Sequence, residues 1–224
     1  MKEKEMILQA FTVLATIVLF ANGQHGQKLP PFATSKYLGD VKDKIKIQPA
    51  PMPNLNLMGT LGPWFYQFHI DPCSWAVAEE FTNYMQVREL QGNNILLHET
   101  MRSHDLCNTV TSIVIVRGPG VFMGKDLVGN NWSGKIILVA TDYTSFAINW
   151  GCTKWSVFND GLCEDPSVYV KTRELNPHPK VLRRIETVLQ NTWGISVNQL
   201  RRISNEKPCS TGGSSWIKKN GNVG

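Results

Sequence analysis

The strongest constraint on the fold of this chain is a succession of short β-forming runs between residues 62 and 175. Turn residues such as Gly118-Pro119-Gly120 separate the runs, and regularly spaced short strands predict a β-sandwich or a β-barrel. Eight consecutive strands with tight turns favour an all-β, up-and-down antiparallel β-barrel, because closing the sheet removes its unpaired edges. The predicted strands cover residues 64–70, 80–90, 95–102, 109–117, 121–124, 135–141, 145–153 and 168–173.

One amphipathic α-helix is predicted after the last strand. Its apolar residues recur at i, i+1, i+4, i+7 and i+8, a spacing that places them on one stripe of a helix. Pro179 suits the first turn, and Gly194 suits the end of the helix. The stripe consists of Val181, Leu182, Ile185, Val188 and Leu189.

The run 145–153 offers that helix an apolar surface, because alternate side chains of a strand point to opposite faces. One face carries Phe146, Ile148 and Trp150, and the other carries Ala147, Asn149 and Gly151. We expect the bulky face to lie beneath the helix and the small face to point into the barrel. This arrangement leaves room in the barrel interior.

The first 23 residues have the order of a secretory signal peptide. A charged start, MKEKE, precedes an apolar stretch over 6–20, and the small residues Ala21 and Gly23 supply a cleavage site. The apolar stretch is shorter than the ~20 residues that span a bilayer, and an uncleaved anchor is the alternative interpretation. Cleavage after residue 23 predicts a secreted, extracellular protein. Its five cysteines would then lie in an oxidising compartment, where disulfides are expected.

The rest of the chain divides into three parts. Residues 24–53 are rich in Lys and Pro, lack a sustained period, and are predicted to form an extended arm. Residues 54–209 form the barrel domain with its C-terminal helix, and the Gly/Ser/Lys-rich segment 210–224 is predicted to be a flexible tail. The net charge of +5 is not clustered, so it does not indicate a nucleic-acid partner.

Three separated blocks resemble one known family. Asn54-Leu55-Asn56-Leu57, followed by Gly62-Pro63-Trp64, resembles the first lipocalin motif, which ends in Gly-x-Trp. Thr141-Asp142-Tyr143 resembles the second motif, and Thr172-Arg173-Glu174-Leu175 resembles the third, whose key residue is an arginine. Their order, the strands between them and the helix after them make the chain similar to lipocalins over 54–209. Within the family, residues 138–152 are most similar in pattern to apolipoprotein D and the insect bilin-binding proteins.

The resemblance implies a lipocalin-like calyx with one closed end. The residues that would close it are Gly62, Trp64, Thr141, Asp142, Tyr143 and Arg173. A guanidinium stacked on an indole contributes about 1–2 kcal/mol when it is desolvated. We therefore predict a structural role, and no catalytic role, for Arg173.

Period-2 alternation also predicts which side chains line the interior and contact a ligand. For any single residue, ordinary core packing is the alternative, and a one-residue bulge would exchange the two faces of a strand. Gln86 and Arg88 are expected on the outer face, whereas the inward amide of Asn149 needs a hydrogen-bonding partner. The predicted ligand-binding residues are Phe81, Met85, Leu97, Val114, Phe122, Leu138, Ala147 and Asn149.

The cysteine pairing is only partly implied by the resemblance. In the resembling proteins a cysteine after the first strand bonds one near the C-terminus, which corresponds here to Cys73 and Cys209. Cys152 matches a cysteine that bonds one near the mature N-terminus, but residues 24–72 contain none. Its partner would be Cys163 or Cys107, or it would have none. We prefer Cys163, which leaves Cys107 unpaired.

One glycosylation sequon, Asn131-Trp132-Ser133, lies in a predicted loop. Catalytic patterns are weak: Ser103, His104 and Asp105 are neighbours whose side chains alternate between faces, and His98-Glu99 lacks the second histidine of a zinc-binding helix.

The function expected from the sequence is therefore a non-enzymatic carrier. It would reversibly bind a small hydrophobic molecule, such as a lipid, retinoid, bilin or similar pigment, inside the barrel. No cofactor or metal is expected to be required, and neither a nucleic-acid partner nor stable membrane insertion is expected. The alternative is an extracellular interaction protein on the same fold with a filled barrel. The sequence specifies neither the ligand nor the oligomeric state.

Overall fold

Eight antiparallel strands form a closed barrel in the computed structural model, which describes residues 36–71, 81–103, 106–126, 133–157 and 161–209. Each strand pairs with the next, and β8 pairs back onto β1, as predicted for an up-and-down barrel. The strands are β1 (Gly62–Ile70), β2 (Thr82–Gln91), β3 (Asn94–Ser103), β4 (Leu106–Gly118), β5 (Val121–Asp126), β6 (Ser133–Thr141), β7 (Phe146–Cys152) and β8 (Pro166–Thr172).

The β1–β2 pairing is short, and a C-terminal segment continues it. Only residues 62–65 of β1 pair with β2, on residues 85–88. Beyond them a two-residue strand, β9 (Arg201–Arg202), pairs with Phe68 and His69 of β1. The N–H of Asn83 in β2 donates to the carbonyl oxygen of Ser204 at 2.6 Å. The C-terminal segment therefore bridges the two strands, an element that the sequence did not predict.

The predicted helix is present as α2 (Pro179–Trp193), on the outside of the barrel. It ends at Gly194, whose φ of 63° is a left-handed conformation that glycine adopts without steric cost. Buried Ile185, Leu189 and Trp193 pack against the bulky face of β7, as expected. Neither helix in the described part of the chain is long and apolar enough to cross a membrane.

The arm expected to be extended over 24–53 is folded over its described part. A short helix, α1 (Lys36–Lys44), contains Val41, and Ile45 follows it directly; both side chains are completely buried. The indole N–H of Trp150 donates to the carbonyl oxygen of Ile45 at 2.8 Å. Val41 and Ile45 lie four residues apart, and so short a pattern does not stand out among the surrounding lysines. The signal peptide over 1–23 and the tail over 210–224 lie outside the described residues.

Two disulfides join the described cysteines. Cys152 pairs with Cys163, the preferred pairing, with a Cα–Cα distance of 5.9 Å. Cys107 pairs with Cys209 at a Cα–Cα distance of 5.8 Å, so the expectations of a Cys73–Cys209 bond and an unpaired Cys107 are wrong. Cys73 itself lies outside the described residues.

The path of the C-terminal segment explains the corrected pairing. After β9 the chain crosses the ends of β2 and β3, where the N–H of Lys207 donates to Asn83 Oδ1 at 2.7 Å. Arg102 of β3 donates to the carbonyl oxygen of Lys207 at 3.2 Å. This course brings Cys209 beside Cys107 at the start of β4.

A non-reducing peptide map should therefore link the Cys107 peptide to the Cys209 peptide. Cys209→Ser should lower the free energy of unfolding by about 2–5 kcal/mol, because the bond closes a long loop in the unfolded chain. Cys73→Ser is the matched control, since it removes a cysteine without removing either disulfide. A linked Cys73–Cys209 peptide would contradict this pairing.

Candidate ligand-binding site

Arg173, directly after β8, holds the closed end of the barrel. Its guanidinium carbon lies 3.7 Å from the centre of the fully buried Trp64 ring, so the predicted stacking is present. The guanidinium also donates to the carbonyl oxygens of Tyr143, Pro63 and Gly59 at 3.0, 2.9 and 2.8 Å. One side chain thereby joins the end of β8, the turn after β6, and the segment that leads into β1.

Asp142 organises the turn between β6 and β7. One carboxylate oxygen accepts the N–H groups of Thr144, Ser145 and Phe146 at 3.1, 2.7 and 3.0 Å. Arg184 of α2 donates to the other oxygen at 2.7 Å. The Ser145 hydroxyl also donates to this carboxylate. Burial acts to raise the pKa of Asp142, but the hydrogen bonds from the Ser145 hydroxyl, the N–H groups of Ser145 and Phe146, and Arg184 outweigh it and lower the pKa from 3.8 to about 2. The turn therefore ties the closed end to the outer helix.

Gly62, Thr141 and Tyr143 complete the closed end. Gly62 begins β1 at a φ of 88°, which non-glycine residues rarely adopt. The hydroxyl of Thr141 donates to the carbonyl oxygen of Phe146 at 2.6 Å and accepts the N–H of Tyr143 at 2.9 Å. The Tyr143 hydroxyl accepts the N–H of Asn56 at 3.1 Å. All six residues predicted to close the barrel lie at this end.

A cluster of apolar side chains that includes Trp64 lines the interior. Here "apolar wall" means the buried cluster of Trp64, Ile95, Leu97, Val114, Phe122, Leu138 and Ala147. Five predicted ligand-binding residues belong to it: Leu97, Val114, Phe122, Leu138 and Ala147. The small face of β7 therefore points inward, as expected from its alternation.

Met85 is not on the interior face, contrary to prediction. It pairs with Phe65, whereas the neighbouring Gln86 pairs with the inward Trp64. The cause is a bulge in β2. Thr82 pairs with Arg102 and Met85 pairs with Thr100, so an advance of three residues along β2 matches an advance of two residues along β3. The extra residue exchanges the two faces of the strand. Gln86 and Arg88, expected outside, consequently point into the barrel.

A buried polar network fills the middle of the interior around the carboxylate of Glu99. Its Oε1 accepts hydrogen bonds from the hydroxyls of Tyr66 and Tyr84, both at 2.9 Å, and from Gln86 Nε2 at 2.7 Å. Ser112 donates to Oε2 at 3.5 Å. Burial and the nearby carboxylate raise the pKa of both tyrosines well above its usual value, so their hydroxyls stay protonated.

Two cations complete the network. Lys171 Nζ donates to Gln86 Oε1 at 3.0 Å and lies 4.3 Å from the centre of the Tyr66 ring. Arg88 Nε donates to the same Gln86 oxygen at 2.8 Å, and Arg88 Nη2 lies 3.4 Å from Asn149 Oδ1. The expected partner of the inward Asn149 amide is therefore a guanidinium. Burial lowers the pKa of both cations, and lowers that of Lys171 well below its usual value.

Aromatic side chains lie beyond the network, toward the open end. Phe81, another predicted ligand-binding residue, is buried in a cluster with Tyr66, Tyr84, Met101 and Ile203. His69 stacks on Tyr169, with ring centres 6.1 Å apart. Burial, with a smaller effect from Arg201, lowers the pKa of His69 to about 4, so this imidazole is neutral at pH 7.

The sequence-based prediction missed most of the polar interior. The missed residues are Tyr66, Tyr84, Gln86, Arg88, Glu99 and Lys171. One signal was available for Glu99, which lies two residues from the predicted inward Leu97, so period-2 alternation places both on one face of β3. The glycosylation sequon at Asn131 lies outside the described residues, so its use stays a prediction.

We expect Arg173→Lys to destabilise the fold by about 2–4 kcal/mol, because lysine replaces neither the planar stacking nor the three directed hydrogen bonds. Chemical denaturation measures this change. Arg183→Lys, on the exposed face of α2, is the matched control and should have little effect. Equal stability of the two variants would contradict the role given to Arg173.

Asp142→Asn should destabilise the protein by about 1 kcal/mol at neutral pH, after allowance for solvent screening. The folded-state pKa of about 2 lies below the ordinary value of 3.8, so the ionised carboxylate stabilises the fold above that value. The wild-type advantage should therefore shrink as the pH falls from 4 toward 2. Unfolding curves of both proteins across this range test the effect, and a pH-independent difference would contradict it.

Comparison with known proteins identifies the fold through structure. No protein-family model matches the sequence, and no curated protein matches it significantly. The major allergen Per a 4 from cockroaches is 18% identical, with a TM-score of 0.56 over 71% of this chain and 95% of that one. Insecticyanin from the tobacco hornworm Manduca sexta is 12% identical, with a TM-score of 0.59 over 70% of this chain and 84% of that chain.

A biogenic amine-binding protein is also similar, at 12% identity and a TM-score of 0.54, over 69% of this chain and 84% of that chain. These structures are lipocalins, which agrees with the resemblance of the three sequence blocks. Similarity to apolipoprotein D in particular stays a prediction. At such identities the likeness concerns the fold alone, and this chain has the lipocalin fold: an eight-stranded barrel with one helix packed outside.

Proposed function

We propose that this protein is a secreted carrier that reversibly binds a small hydrophobic molecule inside its barrel and does not alter it chemically. The observation that carries the proposal is the apolar wall, where bulky side chains such as Trp64 and Phe122 cluster with the small Ala147 of β7. An eight-stranded barrel is just wide enough for side chains or for one small ligand. Small residues at this position favour the ligand.

The composition of the interior supports this function. Ligand sites are mostly apolar, with a few polar groups that fix the orientation of the ligand. Here the apolar wall lies beside a network of hydrogen-bonded side chains that includes Gln86 and Asn149. Binding would gain ~25 cal/mol for each Å² of apolar surface removed from water, before the costs of association.

The closed end determines the direction of entry. Trp64 and Arg173 block one end, so a ligand would enter past the aromatic cluster around Phe81 and Tyr84. Binding without chemistry is supported by the cysteines: the four described ones are all in disulfides, which leaves no thiol nucleophile among them.

Secretion is supported by two features. The first 23 residues have the pattern of a signal peptide, and two disulfides are typical of proteins that fold in an oxidising compartment.

The similarity to a biogenic amine-binding protein supports the binding of small molecules by this fold.

The proposal is tested with delipidated protein and retinol, a neutral apolar probe, by quenching of tryptophan fluorescence. We expect saturable binding in wild type. Ala147→Leu should weaken binding by about tenfold or more, because it adds volume on the apolar wall at a packing cost of about 1–3 kcal/mol. Native mass spectrometry and visible absorption of the protein before delipidation would identify a co-purified ligand.

Ala140→Leu is the matched control, because Ala140 packs against the outer cluster under α2. It should affect stability without weakening retinol binding. Absence of saturable binding by retinol, fatty-acid and bilin probes would contradict the carrier function. Together with a severe loss of stability in Ala147→Leu, that result would favour the alternative, an interaction protein with a filled barrel.

A further inference from the structure

We propose that the ligand carries a carboxylate, bound between the side chains of Arg88 and Lys171 inside the barrel. This inference rests on the proposed carrier function and specifies the class of its ligand: an apolar molecule with one anionic end. Three observations support it: the burial of the two cations, the absence of an ion pair to either of them among the described residues, and their place beside the apolar wall.

Both cations are deeply buried, Arg88 at 6% exposure and Lys171 at 4%. They reach the interior from different strands, β2 and β8. Their hydrogen bonds go to neutral acceptors, the amide oxygens of Gln86 and Asn149. Neither cation forms an ion pair with any carboxylate among the described residues.

The nearby carboxylate is already occupied by other donors. Glu99 accepts hydrogen bonds from Tyr66, Tyr84 and Gln86 on one oxygen, and from Ser112 on the other. Burial and the neighbouring Arg88 act against the charged form of Lys171 and lower its pKa. An unpaired charge away from water is strongly unfavourable, so an anion at this place would stabilise the site.

The cations also retain unused hydrogen-bond donors. An ammonium group has three N–H donors and a guanidinium has five. Lys171 uses one of them and Arg88 uses two in the contacts described above. A carboxylate has two oxygens that accept charge-assisted hydrogen bonds, which are shorter and stronger than neutral ones. The remaining donors therefore match a carboxylate in number and in charge.

The register of the strands places the cations next to small side chains and the apolar wall. Lys171 pairs with Ala147, and Arg88 pairs with Leu97 of β3. The guanidinium carbon of Arg88 lies 5.9 Å from the centre of the Trp64 ring. A ligand can thus contact the wall with its apolar body while its carboxylate lies between the two cations.

An amine ligand is disfavoured by the same geometry. A protonated amine needs a free carboxylate, whereas Glu99 is occupied by four donors. Arg88 and Lys171 would also repel it. This chain is therefore inferred to differ in ligand charge from the biogenic amine-binding protein that shares its fold.

The test compares retinoic acid with retinol, which differ at the polar end. Wild type should bind the acid about tenfold or more tightly than the alcohol, since charge-assisted hydrogen bonds are made to the acid alone. Lys171→Met should abolish that preference, because it removes one of the two cations that would bind the carboxylate. The melting temperature of this variant should not fall, because methionine is similar in length to lysine and the substitution removes an unpaired buried charge.

Lys180→Met, an exposed lysine at the start of α2, is the matched control and should leave both affinities unchanged. Glu99→Gln provides a second variant, because it removes the negative charge and keeps an acceptor for the tyrosine hydroxyls. It should increase the preference for the acid over retinol.

The outcomes separate the two proposals. Equal affinity of wild type for acid and alcohol, or an unchanged preference in Lys171→Met, would overturn the carboxylate site and leave the carrier function standing. Serotonin that competes with retinol in wild type but not in Glu99→Gln would also overturn it. Failure of retinol, retinoic acid, fatty acids and bilins to bind would contradict the carrier function itself.

Discussion

The structure depends most on the contact between Arg173 and Trp64 at the closed end of the barrel. A barrel open at both ends would admit water from both sides, and this water would screen the charges inside it. The guanidinium covers the indole at 3.7 Å and binds three carbonyl oxygens from neighbouring segments. Because packed groups close this end, the interior beside Trp64 has low polarity.

In this region of low polarity, the charges of the buried network interact more strongly than they would in water. Arg88 lies on the interior side of Trp64, and Arg173 also stacks on this indole. Nearby positive charge and burial lower the pKa of Arg173 to about 10, yet it stays charged at neutral pH. Two guanidinium groups thus lie over one indole ring and Lys171 lies over Tyr66, and a bound carboxylate would offset the cost of this accumulated positive charge.

Much of the fold was predictable from sequence, because its signals are local. Turn residues located eight strands, and the alternation of β7 correctly assigned its bulky and small faces. The misassignments have non-local causes. The connection between β7 and β8 is too long to fix their register, so the pairing of Lys171 with inward Ala147 was hidden. The Cys107–Cys209 bond depends on the course of a segment with only a two-residue strand.

The direction of the side chains of β2 depends on the backbone conformation of Asn83. Asn83 has a φ of 54°, within the left-handed region, and its N–H and side-chain oxygen bond Ser204 and Lys207 of the C-terminal segment. These contacts hold the bulge that adds one residue to β2. If the side chains of β2 alternated regularly from Phe81, Met85 would face inward. Because of the bulge, Arg88 faces inward instead. The Cys107–Cys209 disulfide anchors the same segment, so a covalent bond outside the network supports the backbone geometry that brings a guanidinium into the barrel.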